Sequence, residues 1–243
     1  MTNTPRMLTN LRDLCRLITL RGPLTPAELA GLTGIPRPTV YRAVSHLVDT
    51  GLLRPGAEGT VDLGLRWLRL GEVARAARTE WDPAREAMAK VACRTGCTVY
   101  LSLRLGDTAV CLDWAPGRDA ETLVLRPGRR VDLHTGGTGR VLLASLDDGE
   151  LNSYLARAPL QARTPATLVT EAQIKADVEV TRSRGYVHAR DDVTLGVSAI
   201  AVAVRAKRSI GAIAMTSLTA DVDARDLELV DEARRAAKEA MCG

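Results

Sequence analysis

The segment Thr25-Pro26-Ala27-Glu28 restricts what this chain can fold into more than any other, because it spells a complete helix start. Thr25 can cap free backbone N–H groups, Pro26 fits the first helical position, and Glu28 can reach back to close a capping box. The helix it opens is short, Pro26 to about Leu32, since Thr33-Gly34 turns the chain and Ile35-Pro36-Arg37 opens another helix. Upstream, Leu11, Leu14, Cys15 and Ile18 recur at helical spacing and predict a helix over Met7–Leu20, ended by Gly22-Pro23. Downstream, Pro36 and Pro38 sit near a helix start, where a missing N–H is tolerated. Val40, Val44 and Leu47, with Ala43 and Val48 beside them, then form a core stripe. The opposite face carries Arg37, Thr39, Tyr41, Arg42, Ser45 and His46. After Gly51, Leu52-Leu53-Arg54 and Thr60-Val61-Asp62-Leu63 flank a Pro55–Gly59 turn and predict a β-hairpin.

Helix, short helix, tight turn, polar-basic helix and hairpin, in that order, predict a winged helix-turn-helix. A single helix is narrow enough to enter the major groove of B-DNA, where base pairs differ in donor and acceptor pattern. The hydroxyl and guanidinium groups of its exposed face suit base edges and phosphates, and Arg54 in the wing suits the backbone. Charge agrees with this reading: residues 1–80 hold 11 arginines against 7 acidic side chains, while the rest holds 22 basic and 22 acidic ones. The net charge of +4 therefore lies in the first third, which points to a double-stranded DNA partner there. Any one of these residues could equally belong to a solvated helix face; for the ordered set that is the poorer account and DNA binding the better one.

A chain of 243 residues accommodates two ordinary domains. The longest apolar run, Ala199–Val204, is far shorter than the roughly 20 residues of a membrane span, and Met1–Arg12 lacks a signal-peptide core. Five scattered cysteines (Cys15, Cys93, Cys97, Cys111, Cys242) are no disulfide framework, so a cytoplasmic protein is expected. These features argue against secreted, membrane-spanning and disordered classes. Arg66–Arg78 is amphipathic, with Trp67, Leu70, Val73, Ala74 and Ala77 on one side. It is either a helix packed on its own domain or a linker helix that meets a second subunit.

Asp82-Pro83 opens a helix reaching Thr95-Gly96, and strands are expected over Thr98–Leu105, Thr108–Trp114, Thr122–Leu125, Tyr186–Ala189, Val197–Val204 and Ile210–Ser217. Helices are expected from about Gly137 to Leu146, Asp148 to Ala156, Thr170 to Gly185 and Val222 to Ala240, the third opened by Thr170-Glu171-Ala172-Gln173, which repeats the capping-box pattern. The expected organisation is a winged helix-turn-helix over 1–64, a linker helix over 65–81 and an α+β domain over 82–243.

Leu29–Pro36, Thr39-Val40-Tyr41-Arg42, Leu47 to Gly51-Leu52, and Leu63-Gly64-Leu65-Arg66 resemble the N-terminal domain of the IclR family of bacterial transcription regulators. Gly128–His134 leading into Gly139–Ala144, and Arg184-Gly185-Tyr186 followed by Gly196-Val197 and Ile200-Ala201, resemble two later blocks of that family. The resemblance implies a GAF-like (profilin-like) antiparallel sheet with flanking helices that binds a small effector. It further implies a homo-oligomer, a dimer or a dimer of dimers, reading a pseudopalindromic operator, with Trp67 at a dimer contact. Gly136-Gly137-Thr138-Gly139 borders the effector pocket in the family, and its helix-start N–H groups suit an anion. By register the other pocket positions are Asp191 or Asp192, Ala199, Ala214 and Thr216. Gly136 and Gly137 stand where larger residues are usual, which implies a roomier cavity, and Ala199 and Ala214 stand where thiols or hydroxyls are frequent. A bulkier or less polar ligand than a small carboxylate is therefore expected. An aromatic cage would have to use Tyr100, Trp114, Tyr154 or Tyr186, since the chain has no Phe.

The alternative is a thiol-based redox sensor or GAF-type reductase built on Cys93, Cys97 and Cys111, the first two about one helical turn apart. Buried hydrophobic cysteines explain the same residues. Cys93-x3-Cys97 is half of a zinc set, the glycine loop lacks a Walker lysine, and no G-x-S-x-G elbow accompanies His46, His134 or His188. The reading is thus a non-enzymatic regulator without metal or cofactor.

Overall fold

The computed structural model describes residues 5–118, 125–206 and 209–241. The chain divides into two compact units after Ala77. The first contains α1 (Arg6–Arg21), α2 (Pro26–Thr33), α3 (Arg37–Asp49), the strands β1 (Leu53–Pro55) and β2 (Val61–Leu63), and α4 (Arg66–Ala76). The capping box at Thr25 forms: Glu28 N–H donates to the Thr25 hydroxyl at 3.2 Å, and Thr25 N–H donates to the Glu28 carboxylate at 2.8 Å. Leu14, Ile18, Leu29, Val40, Val44, Leu47, Leu53 and Val61 make one core, so the three helices and the hairpin are mutually buried. β1 and β2 pair antiparallel with Leu53 opposite Leu63. The amphipathic segment expected as a separate linker groups with this unit, ending at Ala76. None of its side chains is buried, although the Trp67 indole N–H donates to the Leu52 carbonyl at 2.7 Å.

The second unit begins with α5 (Asp82–Thr95) and is organised by a six-stranded antiparallel sheet of order β5-β4-β3-β8-β7-β6. Its strands are β3 (Thr98–Leu105), β4 (Thr108–Ala115), β5 (Arg130–Asp132), β6 (Val187–Arg190), β7 (Val197–Ala206) and β8 (Ser209–Leu218). Three helices, α6 (Gly136–Ala144), α7 (Asp148–Arg157) and α8 (Glu171–Arg184), lie between β5 and β6 in sequence, and α9 (Thr219–Ala224) and α10 (Asp226–Met241) follow β8.

The alternation along β7 and β8 separates two cores. Ile200, Val202, Val204, Ile213 and Met215 face α5 and α10 with Val99, Leu101 and Trp81. Ala199, Ala201, Ala212 and Ala214 face the α6–α8 side. Along these two strands one side is paved with large side chains and the other with methyl groups. A helix can therefore approach the second side more closely, and space remains where it does not.

The strand expected over Thr122–Leu125 lies, except for Leu125, outside the described residues, and the Gly128–His134 block, whose resemblance implies a strand turning into a helix, carries a short strand over Arg130–Asp132. The single final helix is broken at Arg225, whose backbone leaves the helical region (φ −131°, ψ 25°) while its guanidinium binds the Asp221 carboxylate at 2.6 Å. No helix among the described residues is long and apolar enough to cross a membrane.

Candidate DNA-reading helix and ligand cavity

On α3 the buried stripe of Val40, Val44 and Leu47 orients the helix, so the remaining positions must face outward. Arg37, Tyr41, Arg42, Ser45 and His46 are exposed and Thr39 is half-buried. Tyr41 is 52% exposed, unusual for so large a ring and consistent with a surface built for contact. Arg54 is differently placed: its guanidinium binds Asp62 across the hairpin at 2.8 Å. The Leu63 backbone N–H and then Arg54 hold the Asp62 carboxyl below its usual range. The wing cation thus carries its own counter-ion.

In the second unit a cavity of about 370 Å³ opens between the N-terminus of α6 and the methyl-paved face of the sheet. Gly136, Gly137, Thr138, Asp192, Ala199, Ala214 and Thr216 all line it. The register explains why they meet: Ala199 lies opposite Thr216, and Ala214 lies between Tyr100 on β3 and Ala201 on β7. Asp191 does not line it. Its backbone turns through the left-handed region (φ 55°), and its carboxylate accepts from the Thr219 hydroxyl at 2.7 Å and Gly196 N–H at 2.8 Å. The Thr219 bond leads in holding the Asp191 carboxyl below its usual range. Of the two acidic residues, only Asp192 turns inward.

Asp192 is 3% exposed and accepts from Gly136 N–H at 3.0 Å and from Arg140 at 3.3 Å. The Arg140 guanidinium also donates from two nitrogens to Asp177 on α8. Burial outweighs these donors and pushes the Asp192 carboxyl above its usual pKa. One guanidinium therefore fixes the first turn of α6, the chain before β7 and a helix behind them.

Gly137 does not enlarge the cavity as the comparison of side-chain sizes implied. A Cβ there would stand 2.9 Å from the Ala201 methyl and 3.2 Å from that of Ala199. The space left by the missing side chain is taken by the sheet, and the glycine serves close packing.

Several lining residues escaped the sequence reading: Arg129, Arg130, Arg163, Val193, Thr194 and Ser198. Strand phase would have found Tyr100, two residues from Thr98 and in step with Ala214, whereas sequence reasoning weighed it only as a possible cage ring. Arg129 and Arg130 are exposed, and Arg163 binds Asp132 at 3.0 Å, so the cavity wall carries positive charge toward solvent. Among the other aromatic residues considered, Trp114 stacks on Tyr100 with centroids 6.4 Å apart, and Tyr154 packs against His134. His134 is fully buried: the Gln161 carbonyl can only accept, so Nε2 donates to it, and Nδ1 accepts from the Tyr154 hydroxyl at 2.9 Å.

The thiol constellation does not assemble as a reactive pair. Helix α5 ends at Thr95 and Gly96 adopts a left-handed cap, so Cys97 is not on the helix that carries Cys93. Cys97 and Cys111 are buried, and burial pushes their thiols up, that of Cys111 to about 12. Such thiols resist forming the nucleophilic thiolate.

A polar helix projecting from a winged helix-turn-helix, joined in one chain to a sheet domain with a ligand-sized cavity, defines a DNA-binding regulator of the effector-responsive class. Residues 14–56 match the IclR helix-turn-helix domain and residues 81–242 match the bacterial transcriptional regulator IclR C-terminal domain. The chain belongs to the IclR family: it is a transcription regulator and not an enzyme. The HTH-type transcriptional regulator XynR of Escherichia coli (strain K12) is 28% identical over 203 residues, covering 82% of this chain and 81% of that protein. The HTH-type transcriptional regulator KipR of Bacillus subtilis (strain 168) is 26% identical over 186 residues, covering 76% and 74%. The fold resembles that of an IclR homolog complexed with 4-hydroxybenzoate from Microbacterium hydrocarbonoxydans. That likeness has a TM-score of 0.82 at 22% identity and covers 97% of this chain and 98% of the other.

Proposed function

We propose that this regulator reads an operator with the outward face of α3 and that a small organic anion in the α6 cavity controls the reading. The observation that carries the first half is the exposed set Arg37, Tyr41, Arg42, Ser45 and His46, with Thr39 beside it, opposite a fully packed stripe. These side chains reach base edges or phosphates, and Arg54 reaches the backbone once it exchanges Asp62 for a phosphate. One winged helix covers one half-site, so two copies related by a two-fold axis read a pseudopalindrome. Leu65, Leu68, Leu70 and Val73 on and beside α4 are each more than half exposed, which favours burial against a second copy.

For the ligand, the methyl walls of Ala189, Ala199 and Ala214, the hydroxyls of Thr138 and Thr216, and the arginines toward solvent favour an anion with an apolar body. A volume near 370 Å³ exceeds what a two- or three-carbon acid fills. The relative that binds 4-hydroxybenzoate shows that a single-ring acid is held by this fold elsewhere, which supports the same ligand scale here.

Chromatin immunoprecipitation followed by footprinting tests the DNA half: protected half-sites should lie one or more helical turns apart, about 10.5 base pairs each. Genomic fragments that never shift at low salt would remove it. For the ligand half, an acid that alters operator affinity must itself bind with an affinity altered by the same factor when operator is added.

A further inference from the structure

Tyr100 is 2% exposed and its ring forms part of the cavity wall, yet its hydroxyl proton finds no acceptor among the described residues. It lies opposite Ala214 on β8 and Trp114 on β4, so all three share the face of the sheet on which the cavity opens. The ring is held in place: Trp114 stacks against it with an interplanar angle of 12°, and the Arg126 guanidinium lies over the Trp114 ring, 4.2 Å from its centroid. Burial pushes the hydroxyl pKa up to about 12, with the charge of the nearby Arg126 and a hydrogen bond donated by it offsetting only part of that, so the group keeps its proton and stays a donor. A buried donor without an acceptor is a standing loss of stability that a folded chain seldom retains without use.

We propose that Tyr100 is a specificity-determining residue, whose hydroxyl donates a hydrogen bond to an oxygen at the inner end of the effector. The inference rests on the ligand reading above and narrows it: the effector carries an acid group and a second oxygen, separated by the apolar body that lies against the alanines. An acid of the same shape lacking that second oxygen leaves the hydroxyl unpaired and binds more weakly.

The test is thermal unfolding of the full chain and its Tyr100→Phe variant, without ligand and with paired acids. The pairs are benzoate and 4-hydroxybenzoate, cyclohexanecarboxylate and 4-oxocyclohexanecarboxylate, and hexanoate and adipate. The unliganded variant should melt at or above the wild-type temperature, because an unpaired buried hydroxyl is lost. In wild type the oxygenated member of at least one pair should bind about tenfold more tightly, and the variant should bind both members alike. An unliganded variant melting several degrees lower gives the hydroxyl a structural role and overturns the proposal. So does a preference that survives in the variant. If no acid stabilises either protein, the organic-anion reading falls, and the role of Tyr100 is decided by the unliganded pair alone.

Discussion

The outward face of α3 and the cavity beneath α6 solve opposite problems. On α3, the proposed function sits on long side chains that project from a helix whose other face is packed, and nothing of the first unit's own core depends on them. In the cavity the decisive positions are small and nearly buried: Gly137, Ala199 and Ala214 shape space by what they lack. Substitution on the helix should therefore change recognition without changing stability, while substitution around the cavity should change both.

Removing the centre of the cavity's charge network is the strongest test. Arg140→Met leaves the carboxylates of Asp177 and Asp192 without their shared cation, at a cost of about 3–5 kcal/mol. A melting temperature unchanged from wild type would show that α6 is not held by this residue. Next, Gly137→Val pushes a branched side chain into methyl groups that already crowd a single Cβ, which costs about 1–3 kcal/mol and disturbs the ligand site. Operator binding measured below the new melting temperature should persist, since α3 is built from a separate core.

Arg42→Ala inverts that pattern: operator affinity falls by about 1–3 kcal/mol if the guanidinium meets a base, while the melting temperature stays put. Equal losses in both measurements would erase the contrast between the two regions. A pH titration reaches the cavity alone. Burial raises the Asp192 pKa in the folded chain, so its contribution is most favourable below the ordinary value of 3.8 and declines as pH rises through the folded value. Wild type should lose stability relative to Asp192→Asn as pH climbs from about 4 toward neutrality. Parallel curves would contradict the raised value. The smallest effect belongs to the wing: Asp62→Asn frees Arg54, and the slope of log affinity against log salt should steepen by at most about one.

Particular elements show how far local sequence carries. Thr25-Pro26-Ala27-Glu28 and Thr170-Glu171-Ala172-Gln173 were readable because a capping box closes within four residues, and both boxes form. The α3 face was readable because helical spacing alone separates Val40, Val44 and Leu47 from Arg37, Arg42 and His46. The break at Arg225 was not, since Val222–Ala240 keeps its apolar spacing across a residue whose backbone leaves the helical region. Nor was the thiol geometry, because a left-handed Gly96 removes Cys97 from the helix that the spacing suggested.

By itself, the chain's order of residues determined most of its helices, its hairpin, the phase of its strands and the face of α3 turned to solvent, all of which follow from neighbours a few positions apart. Tertiary structure decided which of two adjacent aspartates looks inward, whether a missing side chain makes room or closes it, and that the Tyr100 hydroxyl meets no acceptor among the described residues. Those outcomes depend on partners such as Arg140 and Asp192, 52 residues apart, brought together by packing rather than by any local pattern.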